Sequence, residues 1–229
     1  MPSVLLIVPS VADGSDQAIP AFVLAMQQAI VTGLATLAVE PAADDDRHRV
    51  ELWLASELET RSPADFDVRD RVVCPLTWDL PDWFDFPGRA TFAACRAIAP
   101  LRQQVTDWGY ATGDGTQWLP IVATAKGALF GEVIAPAEDG SYHQPVHLDD
   151  AQRQPLYALG QRLLRSLHAT PSVYLLQFGW QGDTLCFDRL IPFPDAPAIA
   201  SLTVQQPHLF DCHWCCLTNQ PVRELIVSA

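Results

Sequence analysis

The chain has 229 residues, 49% of them apolar, which suits one large domain or two small ones around a sizeable core. Its formal net charge of −13, from 27 acidic and 14 basic residues, argues against binding nucleic-acid phosphates or an anionic membrane surface. Six Cys are too sparse for a disulfide scaffold and no apolar run approaches the roughly 18 residues of a membrane span, so a cytoplasmic protein with free thiols is expected.

The first residues lack the basic region and cleavage site of a signal peptide, so none is expected, and Val4–Val8 reads as a buried strand. Asp13–Asp16 reads as a turn. Ile19, Phe22, Val23, Met26, Ile30 and Val31 then recur at helical spacing. Gly33 is taken as the end of that helix, Leu34–Val39 as a strand, Pro41–Asp46 as a solvated loop and Val50–Leu54 as a short strand. After Val72–Cys74 comes an aromatic loop over residues 78–88, with Trp78, Trp83, Phe84 and Phe86. Large aromatic side chains usually bury, so the loop is read as a core cover, with contact to a ligand or a protein partner as the alternative.

A helix interrupted near Pro100 is expected over Ala90–Trp108. The glycine-rich run Gly109–Gly115 is the best candidate boundary, and it divides an α/β part (1–115) from a second part (116–229). Leu119–Thr124 and Leu129–Ile134 flank a turn at Lys126-Gly127, which signals a hairpin. A turn at Ala137–Ser141 and a helix capped by Asp149 or Asp150 follow, with Leu156, Leu159, Leu163 and Leu167 on one face. Val173–Phe178 and Leu185–Ile191 then read as strands around a turn at Gln181–Asp183. The fold class is therefore α/β (α+β), with a mainly antiparallel sheet and flanking helices in the second half.

Cys212, His213, Cys215 and Cys216 offer soft metal ligands, but only Cys212 and Cys215 have paired spacing, so packed thiols are the expectation. The remaining histidines are scattered. The sequence has neither an H-E-x-x-H helix nor a G-x-S-x-G elbow.

Residues from about Trp118 to Val222 resemble the C-terminal lobe of ATP-grasp proteins, and most nearly the ATP-dependent carboxyaminoimidazole ribonucleotide synthetases of purine biosynthesis. Asp188-Arg-Leu-Ile-Pro-Phe-Pro194 sits where that family has N-E-x-x-P-R-P. Pro207–His213 falls where S-Q-F-E-x-H belongs, and Phe210, His213 and Pro221 match by position.

The resemblance implies an ATP-grasp-like fold and Mg-ATP chemistry, with one acidic metal ligand on the penultimate strand and a second on the last. Gln177 stands at the first place and Arg189 at the second, with Asp188 adjacent. A neutral amide and a cation are poor Mg²⁺ ligands. Lys126 is the only lysine, no glycine-rich phosphate loop occurs, and few residues precede the resembling lobe. The expectation is a non-catalytic, ATP-grasp-like binding or regulatory protein, with Gln177, Asp188, Arg189 and His213 as candidate binding residues. The alternative is an active carboxylate or bicarbonate ligase, with Asp188 and Glu132 holding Mg²⁺ and Arg189 with Lys126 holding phosphate. A second alternative is an aromatic-lined pocket for a hydrophobic cofactor.

Overall fold

The computed structural model describes residues 3–10, 19–37, 50–62 and 70–228. The turn expected at Asp13–Asp16 and the loop at Pro41–Asp46 lie outside them. β1 (Ser3–Val8) is the central strand of a parallel sheet, flanked by β2 (Val50–Leu54) and β3 (Arg71–Pro75). A continuous apolar run suits a strand covered on both faces. Val4, Leu6 and Val8 join the main core, while Leu5 and Ile7 turn to a separate cluster with Leu58, Val73, Phe84 and Phe86. The aromatic loop thus covers the far face of this sheet. Phe84 and Phe86 are core residues, as the reading of the loop as a core cover expects.

α1 (Ala21–Leu37) does not end at Gly33, and the strand expected from Leu34 is helix up to Leu37. The reason is a packing contact. A Cβ on Gly33 would fall within the ring of Trp214, so the glycine allows close approach rather than termination. The short α2 (Ala55–Glu59) follows β2 directly. The interrupted helix is α3 (Arg89–Arg96) and α4 (Ile98–Asp107). The break is at Ala97, and Pro100 sits in the first turn of α4, where its missing N–H costs little.

The second sheet comprises β4 (Ala111–Thr112), β5 (Gln117–Thr124), β6 (Gly127–Phe130), β7 (Val133–Pro136), β8 (Tyr142–Val146), β9 (Ser172–Gln181) and β10 (Thr184–Ile191). Its order is β4-β10-β9-β5-β7-β8, with β6 also on β5. Only β4 runs parallel to its neighbour; the other pairs are antiparallel. The expected strand Leu129–Ile134 is two strands, broken at Gly131-Glu132, and β4 and β8 were not anticipated.

α4 and α5 (Asp150–Ser166) cover one face of this sheet, with Leu101, Val105, Leu156, Leu159 and Leu163 against Ile121, Tyr174, Leu176 and Phe187. The other face carries Val122, Val173, Leu175 and Ile191 and meets α7 (Leu209–Leu217). Phe210, Cys212, His213, Trp214 and Cys216 are all buried on α7, as expected of a helix enclosed on several sides. α7 packs against α1, β5 and β9, so the main core runs from the parallel sheet through α1 and α7 into the antiparallel one. A 3-10 turn (Ala196–Ala200) and the short α6 (Ser201–Val204) link β10 to the C-terminal region.

Candidate functional site

Three residues in register define the site. Gln177 on β9 pairs with Trp118 on β5 on one side and with Arg189 on β10 on the other. Together with Trp78, Tyr142 and Asp195 they line a cleft of about 180 Å³. Gln177 and Arg189, singled out from the sequence, therefore do converge. Asp188 does not line the cleft.

A β-bulge explains the position of Asp188. Phe187 pairs with Phe178 and Arg189 with Gln177, so Asp188 is the extra residue between them. Across the bulge Arg189 Nε lies 3.2 Å from Asp188 Oδ1. Asp188 is 2% exposed and its carboxylate accepts three hydrogen bonds. Arg102 Nη2 donates to Oδ1 at 2.6 Å, and the Gly115 backbone N–H donates to Oδ2 at 3.0 Å. Arg102 Nε also donates to the Asp188 carbonyl at 2.9 Å. Burial alone would lower the Arg102 pKa, but hydrogen bonds and charge from Asp188 and Asp114 outweigh it and raise it.

Gln177 is likewise engaged, since its Nε2 donates to the Gly115 carbonyl at 2.6 Å. Gly115 thus holds both side chains through its backbone. A Cβ there would collide with the Phe178 backbone, so glycine alone permits the approach. Trp118 Nε1 is buried without a hydrogen-bond partner. Asp195 has its pKa raised by burial, opposed by the Ala196 N–H that its side chain caps.

The other candidates lie elsewhere. Glu132 falls in the β6–β7 connection, with Oε2 3.6 Å from Arg153 Nη2. β9 and β5 stand between β7 and β10, a separation from Asp188 on the order of 14 Å at ~4.8 Å per strand. Lys126 is exposed in the β5–β6 turn, roughly 20 Å along β5 from the level of Trp118. His213 is in the core: its Nδ1 accepts from the Val173 N–H at 3.3 Å, and burial lowers its pKa to about 3. Cys212, His213, Cys215 and Cys216 do not converge, and among the described residues no cluster of three or more His, Cys, Asp or Glu forms a metal site.

Four residues of the site escaped sequence reasoning: Trp118 and Tyr142, which line the cleft, and Arg102 and Asp195. Arg102 has no local signature. Asp195 precedes Ala-Pro197 and reads as a helix cap, which it also is.

This donor set does not fit Mg²⁺. A hard dication takes several oxygen ligands, chiefly carboxylates. Asp195 is the one carboxylate lining the cleft, and the Arg189 guanidinium shares the space.

No protein-family model matches the sequence, and no curated protein matches it. Solved structures do match the fold, and they place it in the ATP-grasp-like class. Glycinamide-RNase-transformylase T from Mycobacterium tuberculosis aligns with a TM-score of 0.71 at 15% identity, over 99% of this chain and 82% of that one. N5-carboxyaminoimidazole ribonucleotide synthetase from Thermus thermophilus aligns at 0.66 and 10% identity, over 96% and 79%. The phosphoribosylaminoimidazole carboxylase ATPase subunit from Aquifex aeolicus aligns at 0.64 and 11% identity, over 97% and 79%. The resemblance read from the tail of the sequence therefore holds as a resemblance of fold, and it extends over nearly the whole chain. Among the described residues no helix is long and apolar enough to cross a membrane.

Proposed function

We propose that this chain is a non-catalytic binding or regulatory protein, cytoplasmic and built on an ATP-grasp-like fold, that has given up metal-dependent ATP chemistry. One observation carries the reading. Asp188, the single carboxylate on β9 and β10, is buried under Arg102, Arg189 and the Gly115 N–H. Three structural donors, two of them guanidinium cations, already hold it, which makes it a poor ligand for a further cation. In its place Arg189 presents a fixed positive charge beside Gln177 and the aromatic rings of Trp78, Trp118 and Tyr142. A cleft with this lining suits a small ligand with an anionic or hydrogen-bonding group. An active ligase would need Asp188 with Glu132, and Arg189 with Lys126, in one place. Their separation across and along the sheet counts against that alternative.

Isothermal titration with ATP, with and without Mg²⁺, tests the reading. The expected result is no Mg²⁺-dependent heat and no ATP hydrolysis. Tight binding that requires Mg²⁺, together with turnover, overturns it.

A further inference from the structure

A second cleft lies on the other side of Trp78, between the aromatic loop and α3, with a volume of about 490 Å³. That lies within the roughly 300–1,000 Å³ of small-molecule sites. It is the larger of the two clefts that Trp78 borders and differs in character. Trp78, Phe84, Phe86 and Phe92 line it, and their rings are braced by one another and by the buried Phe193 beneath: Phe84–Phe86 at 5.5 Å, Phe86–Phe92 at 5.2 Å, Phe92–Phe193 at 5.8 Å and Phe193–Trp78 at 5.4 Å between ring centroids. Rings locked edge-to-face and stacked in this way keep their shape when a ligand arrives, so little ordering cost falls on binding. The opposite wall is α3. Arg89, Ala93 and Arg96 recur there at helical spacing, with Ala93 leaving the room that a larger side chain would fill.

Charge at the rim decides the ligand class. Asp82 and Asp85 come from the loop, and Arg89 and Arg96 from the two ends of α3. Two acids and two bases sum to zero, and the Arg89 guanidinium is already tied to the Asp82 carbonyl. Such a rim neither draws in an anion nor repels a neutral molecule, so the apolar floor sets the selection. We propose that this cleft binds an uncharged, planar aromatic small molecule, packed against the half-buried rings of Phe92 and Trp78. The site is independent of the Arg189 cleft, so either reading can fail without the other.

Fluorescence titration with the neutral probe N-phenyl-1-naphthylamine tests it, on the intact chain and on Ala93→Trp. Ala93 is exposed and lines only this cleft, so a tryptophan there fills the site with little disturbance to the core. The expected result is saturable one-to-one binding to the parent chain and at least tenfold weaker binding to Ala93→Trp, with an unchanged melting temperature. Should that variant fail to fold, Ala90→Leu, at another exposed position of the same wall, is read in the same way. Equal binding by parent and variant, or no binding by the parent, overturns the proposal. So does tighter binding of the anionic 8-anilinonaphthalene-1-sulfonate, which overturns the neutral class. Loss of probe binding as the protein is concentrated and dimerises gives the cleft to a second copy and also overturns it.

Discussion

Arg102 on α4 and Asp188 on β10, 86 positions apart in sequence, form a 2.6 Å ion pair that closes over the bulge in the last strand. The pair gathers the chain around it, for Arg102 Nη2 also reaches the Gly113 carbonyl at 3.3 Å and Asp114 Oδ1 at 3.1 Å. A carboxylate that reads in the sequence as a candidate Mg²⁺ ligand is thereby held in a structural staple.

Breaking the staple from either side is expected to destabilise the chain. Removing one partner of a buried pair costs about 3–5 kcal/mol, because the other charge stays buried. The Arg102 side chain is 27% exposed and screened by water, so Arg102→Ala is expected to cost less, about 2–3 kcal/mol. Asp188→Asn keeps the shape and loses the charge, and it should lower the melting temperature by several degrees. Urea and thermal unfolding of both variants measure this. An Asp188→Asn protein that melts like the parent would remove the structural role and revive the metal reading.

Gly115→Ala is expected to be more severe than its small size suggests. The added Cβ meets the Phe178 backbone, which cannot rotate away as a side chain can. To relieve the clash, the Gly115 segment must lift from β9, losing the N–H to Asp188 and the carbonyl to Gln177. Overpacking costs about 1–3 kcal/mol, and the two lost hydrogen bonds add to it. The expected signature is a lower denaturation midpoint with altered fluorescence of Trp180, which donates to Gln117 at the start of β5. An unchanged midpoint would show that the loop relaxes freely.

These contacts mark the limit of what the sequence discloses. The β9–β10 hairpin and α5 were legible because their signals are local. Asp149 and Gln152 form a reciprocal capping box, and Leu156, Leu159 and Leu163 repeat on one face. The gap at Ala97 was nearly legible, displaced by three residues toward the proline that drew attention to it. Gly33 misled because its partner Trp214 is far away in sequence, and a glycine for close approach looks like a glycine that ends a helix. The bulge at Asp188 leaves no compositional mark, so strand parity alone could not reveal that Phe187 and Leu190 share a face. At the candidate site, Gln177 and Arg189 stood out by the places the resemblance gave them, whereas Arg102 was invisible because a lone arginine on a helix has no motif.

Acid should destabilise the protein through His213. Burial lowers its pKa to about 3, from 6.5 in an exposed histidine. Between these values the unfolded chain binds the proton and the folded chain does not, so stability rises with pH across the window and falls on acidification. From pH 6.5 to 5 the loss is about 2 kcal/mol at ~1.4 kcal/mol per unit. His213→Gln lacks a titrating ring and should show a shallower decline over the same range, although it is less stable at neutral pH. Urea midpoints at pH 7.5, 6 and 5 for the two proteins check this. Parallel curves would assign the acid sensitivity to the other histidines.

Thiol reactivity should single out one of six cysteines. Cys74, Cys95, Cys186, Cys212 and Cys216 are buried, and Cys215 alone is intermediate. Burial pushes the Cys95 and Cys216 thiols up to about 12, so almost no thiolate exists at pH 8 in the folded chain. Cys215 is also raised, first by burial and then by the negative charge of Asp211, but solvent reaches it. Native protein treated with N-ethylmaleimide at pH 8 should gain one equivalent quickly and the remaining five only on unfolding, as read by intact mass. Cys215→Ser should abolish the fast addition. If several thiols react together in the native state, α7 opens more readily than its burial against α1 and β9 implies, and the core that joins the two sheets is looser than its packing indicates.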